Sequence, residues 1–415
     1  MNRKIYKIFI VTTILIIILF NSNNVYADDG LSINAKSSLI VEVNSGKIIY
    51  EDNANMQNYP ASITKILTAI IVLENCELND MATVSKSAIS NIPIEYVVTP
   101  VYVGEKISIE DLLYALMLKS ANDAAYVLAE HVAGSVEAFS DMMNKKAEEL
   151  GCKNSHFVNP NGIHDDNHYT TAYDMYLIAK YAMKNEIFAK IVSTYQYTLS
   201  ATNKYSNKDR VMENTNFFIN PNSKYYNKSV NGIKTGTTSQ AGNCLITDIR
   251  KNGLDIITII LGAKTKESRF SETNKMIDYS FSNYTNTKLH EKGDIIKTVE
   301  VKKAKNKNLN LVISDEINVI KNVKIKTEDI EPEILLSENI IAPISAGQEI
   351  GTIKYNVDGL EYSAKLLAAD NIERKAYYKE IMIVGGIIIL FVIIKRKSKK
   401  HKRLRTYKKN KYKTK

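Results

Sequence analysis

Residues 37–51, SSLIVEVNSGKIIYE, read as two strands joined by a tight turn. Leu39, Val41 and Val43 alternate along the first strand, Asn44-Ser45-Gly46 supplies turn chemistry, and Ile48 and Ile49 begin the return. Helical spacing follows and runs to about residue 190. Residues 231–263 then revert to strand character in NCLITDIR and LDIITIILGA, with Asn231-Gly232 and Asn252-Gly253 as turn signals. Strands from both ends of a segment with a helical middle predict an α+β fold: one antiparallel sheet built from both ends, with a helical lobe packed on it.

Beyond about residue 285 the chain becomes rich in Val, Ile, Lys and Asn, with short alternating runs such as Lys297-Thr298-Val299-Glu300-Val301, interrupted by Pro332 and Pro343. This predicts a small all-β domain over 286–372, with a spacer or docking role and no catalytic cluster. A chain of 415 residues accommodates these two units plus terminal segments.

The termini carry sorting signals. Arg3, Lys4 and Lys7 precede the apolar run Ile8–Phe20, and Val25-Tyr26-Ala27 offers a cleavage site, so 1–27 reads as a signal peptide; an uncleaved anchor is the alternative. Ile381–Ile394 is free of charge, and counting from Tyr377 gives an eighteen-residue candidate transmembrane helix, 377–394. The basic tail 395–415 follows and predicts a cytoplasmic end, with the body, 28–285 onward, outside the cell. A helix lying flat on the membrane competes with a spanning one.

The formal charge of +10 arises at these ends. Three cations in 1–27 and thirteen in 395–415 leave 39 Lys+Arg against 45 Asp+Glu between them, so the body is slightly acidic, near −6. A basic nucleic-acid-binding surface is therefore not expected. Cys76, Cys152 and Cys244 show neither a disulfide framework nor metal spacing; they read as free thiols or one bridge plus one free.

Three short motifs carry chemistry. In Pro60-Ala61-Ser62-Ile63-Thr64-Lys65, apolar residues at 63, 66, 67, 70, 71 and 73 place Ser62 at the start of a buried helix and Lys65 one turn later on the same face. A serine hydroxyl needs a neighbouring base to become a nucleophile, and a buried lysine beside a second cation can be that base. Lys119-Ser120-Ala121-Asn122-Asp123 links two helices, the first opening at Ser108 with Asp111 at its capping-box position and the second running from Ala124 to about Ala133. Lys234-Thr235-Gly236-Thr237-Thr238 lies on a strand, where a lysine and hydroxyls can bind a carboxylate and the glycine lets a ligand approach the backbone. Taken alone, each motif reads first as a helix cap, a turn or a solvated strand face.

In this order, S-x-x-K, S-x-N and K-T-G resemble the signature set of penicillin-recognising serine enzymes. With Ser120-Ala121-Asn122-Asp123-Ala124-Ala125, and with Asn159-Pro160-Asn161-Gly162 leading to His168, Thr171, Ala172 and Asp174, the chain resembles the low-molecular-mass penicillin-binding proteins that are D-alanyl-D-alanine carboxypeptidases. The resemblance covers nearly the whole chain. It implies Ser62 as the acylated nucleophile, Lys65 as general base and Ser120 as proton relay. It implies substrate binding by Asn122, Lys234, Thr235, Gly236 and Thr237, an oxyanion hole from the N–H groups of Ser62 and Thr237, and help from Arg269. The family often has histidine where this chain has Thr237. The implied partners are peptidoglycan stem peptides, with β-lactams as inhibitors and the membrane through the C-terminal anchor. No cofactor and no nucleic acid are implied. A DD-endopeptidase or β-lactamase on the same fold, or a non-catalytic wall-binding protein, are the alternatives. His164 and His168, four apart around Asp165-Asp166, would suit a metal only on a helix; the preceding Asn-Pro-Asn-Gly predicts a loop.

Overall fold

Ser37–Glu42 pairs antiparallel with Ile48–Asp52, and the turn closes through the Gly46 N–H donating to the Glu42 carbonyl at 2.9 Å with Gly46 at φ +73°. A positive φ costs glycine nothing, which is why the turn sits there. The structure is a computed structural model that describes residues 30–90, 92, 101–207, 209–376 and 378–411. The expected signal peptide, 1–27, lies outside these residues.

The hairpin forms one edge of a five-stranded antiparallel sheet. Its order is Ile48–Asp52, Ser37–Glu42, Leu254–Ala263, Gly242–Lys251, Val230–Thr238. Asn252-Gly253 turns between the last two strands in sequence, with both residues at positive φ. Asn231-Gly232 does not turn. It lies inside the Val230–Thr238 strand, where the register slips between Val230 and Gly232. Gly232, at φ +142°, packs where a Cβ would fall 2.7 Å from Val192, so the same backbone freedom serves a bulge.

The helical middle is less continuous than its pattern suggests. Helices span Lys65–Asn75, Lys86–Ser90, Ile109–Leu118, Asn122–Ala133, Val136–Glu149, Ala172–Ala182 and Glu186–Ser193, broken by loops and by a small two-stranded sheet of Met81–Thr83 with Lys106–Ser108. Leu67, Leu112, Leu116, Phe139, Met175 and Phe188 are buried in one core with the inner face of the sheet. Ser108 caps its helix by accepting from the Asp111 N–H at 3.1 Å, but the Asp111 carboxylate takes the Tyr197 hydroxyl instead of closing a capping box.

Two compact units divide the chain. One comprises residues through Thr285 with Asn322–Lys324; the other comprises Asn286–Lys321 and Ile325–Lys415. The second contains a five-stranded antiparallel sheet in the order Ile295–Glu300, Asn308–Ile313, Leu360–Ala368, Glu349–Val357, Pro332–Leu336. Leu311, Ile353 and Leu366 form its core. Pro332, which cannot donate to a ladder, opens an edge strand.

A single helix, Tyr378–Lys411, ends the second unit. Its charge-free part, Ile381–Ile394, rises about 21 Å at 1.5 Å per residue, against about 30 Å of bilayer hydrocarbon. Among the described residues no helix is long and apolar enough to cross a membrane.

Candidate active site

Ser62 lies in a 3-10 turn, Ala61–Thr64, that leads directly into the Lys65–Asn75 helix. Ala61 has a left-handed backbone, φ +50°. The turn lifts Ser62 to a half-buried position while Lys65 goes completely under the surface. The Lys65 ammonium nitrogen is 3.0 Å from Ser62 Oγ, 2.8 Å from Asn122 Oδ1 and 2.6 Å from the Asn161 carbonyl. Burial, reinforced by the nearby Lys234 charge, holds the Lys65 pKa well below the ordinary lysine value, while Asp123 opposes this. A neutral amine in contact with a hydroxyl can take its proton.

The second motif meets the first through Asn122, the first residue of its helix. Ser120 precedes it at φ +61°, and its buried Oγ has no hydrogen-bond partner among the described residues. An unpaired buried hydroxyl is costly unless a substrate completes it.

The third motif lies on the edge strand next to the nucleophile turn. A Cβ on Gly236 would stand 3.0 Å from the Ser62 nitrogen and 3.1 Å from the Pro60 carbonyl. Lys234 is buried, and its pKa is pushed down to about 7, first by burial and then by Arg269. Thr235 shares a hydrogen bond with Thr215 at 2.9 Å. Thr237 is exposed, with its hydroxyl 2.8 Å from the Gly236 carbonyl and 3.1 Å from Asn243 Oδ1. Arg269, near the start of the Ser268–Asn283 helix, donates to the Gly236 carbonyl and to Thr237 Oγ1, each at 3.2 Å.

The three motifs thus converge. Arg269 joins them on the Gly236–Thr237 segment. Sequence reasoning missed Asn161, Thr215 and Asn243 as parts of the site. The Asn-Pro-Asn-Gly stretch flagged the first of these, but a carbonyl contact carries no side-chain signature. His164 and His168 lie in the loop that the Asn-Pro-Asn-Gly stretch predicts, not on a helix, and His168 Nδ1 accepts the Val158 N–H at 3.1 Å. Elsewhere, Cys76, Asp80 and His131 bring ligand-type atoms within 4.8 Å of one another. All three cysteines are free thiols.

The model of the D-alanyl-D-alanine carboxypeptidase family matches residues 22–265, and that of the penicillin-binding protein 5 C-terminal domain matches residues 284–374. D-alanyl-D-alanine carboxypeptidase DacF of Bacillus subtilis (strain 168) is 34% identical over 351 residues, 83% of this chain and 87% of DacF. Penicillin binding protein 5 from Haemophilus influenzae superposes with a TM-score of 0.66 at 29% identity, covering 83% of this chain and 98% of that one. A peptidoglycan synthesis regulatory factor (PBP3) from Streptococcus pneumoniae superposes with a TM-score of 0.68 at 26% identity, covering 82% of this chain and 100% of that one. A family match across more than half of the chain, a relative alike over most of it, and a buried lysine set against a serine at the meeting of three motifs lead to one conclusion: this chain belongs to the serine-type D-alanyl-D-alanine carboxypeptidases, the low-molecular-mass penicillin-binding proteins.

Proposed function

We propose that the enzyme removes the terminal D-alanine from peptidoglycan stem pentapeptides through an ester on Ser62. The 3.0 Å contact between Lys65 Nζ and Ser62 Oγ carries this reading, because burial lowers the lysine pKa well below its ordinary value and so favours the neutral amine. Lys65 takes the Ser62 proton as Oγ adds to the carbonyl of the penultimate D-alanine. The Ser62 and Thr237 N–H groups meet the oxyanion. The bond to the terminal residue breaks, and the Ser120 hydroxyl relays a proton to the departing amine. Water, activated at Lys65, then hydrolyses the ester. Asn122 holds the substrate amide. Lys234, Thr235 and Thr237, on a strand that Gly236 keeps close to the nucleophile, bind the terminal carboxylate with Arg269. The catalytic portion corresponds to 28–285 and the small β-rich domain to 286–372.

Fluorescent penicillin, followed by mass spectrometry of the labelled peptide, tests this reading. Labelling at Ser62 and D-alanine release from a pentapeptide are expected, and an unlabelled protein would sink it. Faster cleavage of cross-linked dimers would instead mean an endopeptidase, and rapid penicillin turnover a β-lactamase.

The reading extends to location outside the cytoplasm, with attachment to the membrane by the C-terminal helix. The apolar side chains from Ile381 to Ile394 are exposed around the helix, and a dense basic segment follows. Such a segment is drawn to anionic lipid. Flotation of the full chain with vesicles containing anionic lipid, compared with a chain ending at residue 376, checks this.

A further inference from the structure

Next to the nucleophile runs a buried hydrogen-bond chain that the reaction scheme leaves unused. The Val158 N–H can only donate, and it points at His168 Nδ1 from 3.1 Å. Nδ1 is therefore the acceptor of the ring, which leaves the proton on Nε2. Nε2 lies 2.9 Å from Thr64 Oγ1 and donates to it. The Thr64 hydroxyl then has one direction left for its own proton, the Ala61 carbonyl at 2.9 Å. Thr64 and His168 are buried, and Phe157 packs edge-on against the imidazole at 5.4 Å between ring centres. Burial also keeps the ring neutral, its pKa pushed down to about 3, so the direction of the chain does not reverse in the working range.

The end point of the chain gives it a role. The Ala61 carbonyl and the Ser62 N–H belong to one planar peptide and point in opposite directions. That carbonyl is trapped from two sides. The Thr64 hydroxyl holds it, and Gly162 backs against it so closely that a Cβ there would fall 1.9 Å from the oxygen. Ala61 itself is left-handed at φ +50°, a conformation an alanine keeps only when its surroundings impose it. A hydrogen bond accepted by a carbonyl also strengthens the N–H of the same peptide as a donor.

We propose that His168 and Thr64 are positioning residues for the oxyanion hole: through the Ala61 carbonyl they aim and polarise the Ser62 N–H. This rests on the acyl-enzyme reading given above.

Thr64→Val keeps the shape and removes the hydroxyl. The expected effect on acylation by a penicillin, resolved by stopped flow, is a roughly 10- to 100-fold smaller acylation rate constant, part of what loss of a whole oxyanion donor costs. Dissociation of the pre-covalent complex should stay within about threefold of wild type, because the lost interaction belongs to the transition state. The infrared carbonyl band of the acyl-enzyme should move to higher wavenumber, reporting a weaker oxyanion hole. Thr64→Ser should restore rate and band, and His168→Leu should shift both in the direction of Thr64→Val. A Thr64→Val enzyme that acylates at the wild-type rate, or one that is slower with an unmoved band, overturns the positioning role. A wild-type protein that forms no ester at Ser62 overturns instead the functional reading beneath it.

Discussion

Gly236 touches the nucleophile turn through the side chain it lacks. A Cβ there would stand 3.0 Å from the Ser62 nitrogen, 3.1 Å from the Pro60 carbonyl and 3.2 Å from the Ile63 nitrogen. All three neighbours are backbone and cannot swing away. The strand that carries Lys234 therefore keeps this spacing from the Ser62 turn without a shift only when position 236 has no Cβ. We expect Gly236→Ala to push strand and turn apart by several tenths of an ångström and to slow acylation by about 10- to 100-fold, in line with what small misplacements do to reacting groups. Labelling kinetics with fluorescent penicillin measure this. An alanine variant at wild-type rate would show that the contact is not limiting.

Lys65 should divide catalysis from stability. Lys65→Met removes the proposed base and should lower acylation by about 10²- to 10⁴-fold, the usual contribution of a positioned base. It also removes an amine held in a buried site against its preference for the charged form. Melting temperature should consequently hold or rise relative to wild type, and calorimetry beside the labelling assay would record both changes. A large fall in melting temperature would mean that the bonds to Asn122 and Asn161 outweigh desolvation.

Lys234 predicts the alkaline limb. Its pKa of about 7 means that the free enzyme loses this cation as pH rises through neutrality. On the proposed reading the carboxylate of the substrate then loses its partner, so kcat/KM for a peptide ending in D-Ala-D-Ala should fall above about pH 7. Lys234→Arg keeps its charge and should move that limb upward, whatever it does to the plateau. The stability sign is separate. Because the folded pKa lies below the ordinary 10.5, the unfolded chain binds the extra proton between the two values. This group therefore makes stability rise with pH over that window. A pH profile with no inflection near neutrality would argue against the low value.

Arg269 should act on binding more than on turnover. It reaches Gly236 and Thr237 at 3.2 Å, on the segment proposed to bind the substrate carboxylate. Arg269→Leu should raise KM for the peptide roughly tenfold or more, as loss of a charged hydrogen bond does, with a smaller change in kcat. Steady-state kinetics on a pentapeptide distinguish this from equal losses in both, which would mean that the arginine supports the strand rather than the substrate.

Much of this protein was legible without coordinates, for local reasons. Alternation, turn residues and helical spacing are short-range, and they mark the 37–51 hairpin, the Asn252-Gly253 turn and the Ser62 helix. The motif order S-x-x-K, S-x-N, K-T-G names the residues because each role demands a particular side chain. Tertiary structure decided what depends on backbone meeting backbone far apart in sequence. The Asn161 carbonyl on Lys65 is one case, since any residue could supply it. Gly232 is another: a glycine at positive φ serves a turn or a bulge equally, and only pairing with the Gly242–Lys251 strand, with its register slip between Val230 and Gly232, selects the bulge. The pKa values of Lys65 and Lys234 also arise only on folding, because they follow from burial and from charges that the chain brings together. Sequence alone determined which groups could react, whereas the fold buried Lys65, lowered its pKa and set it 3.0 Å from Ser62 Oγ.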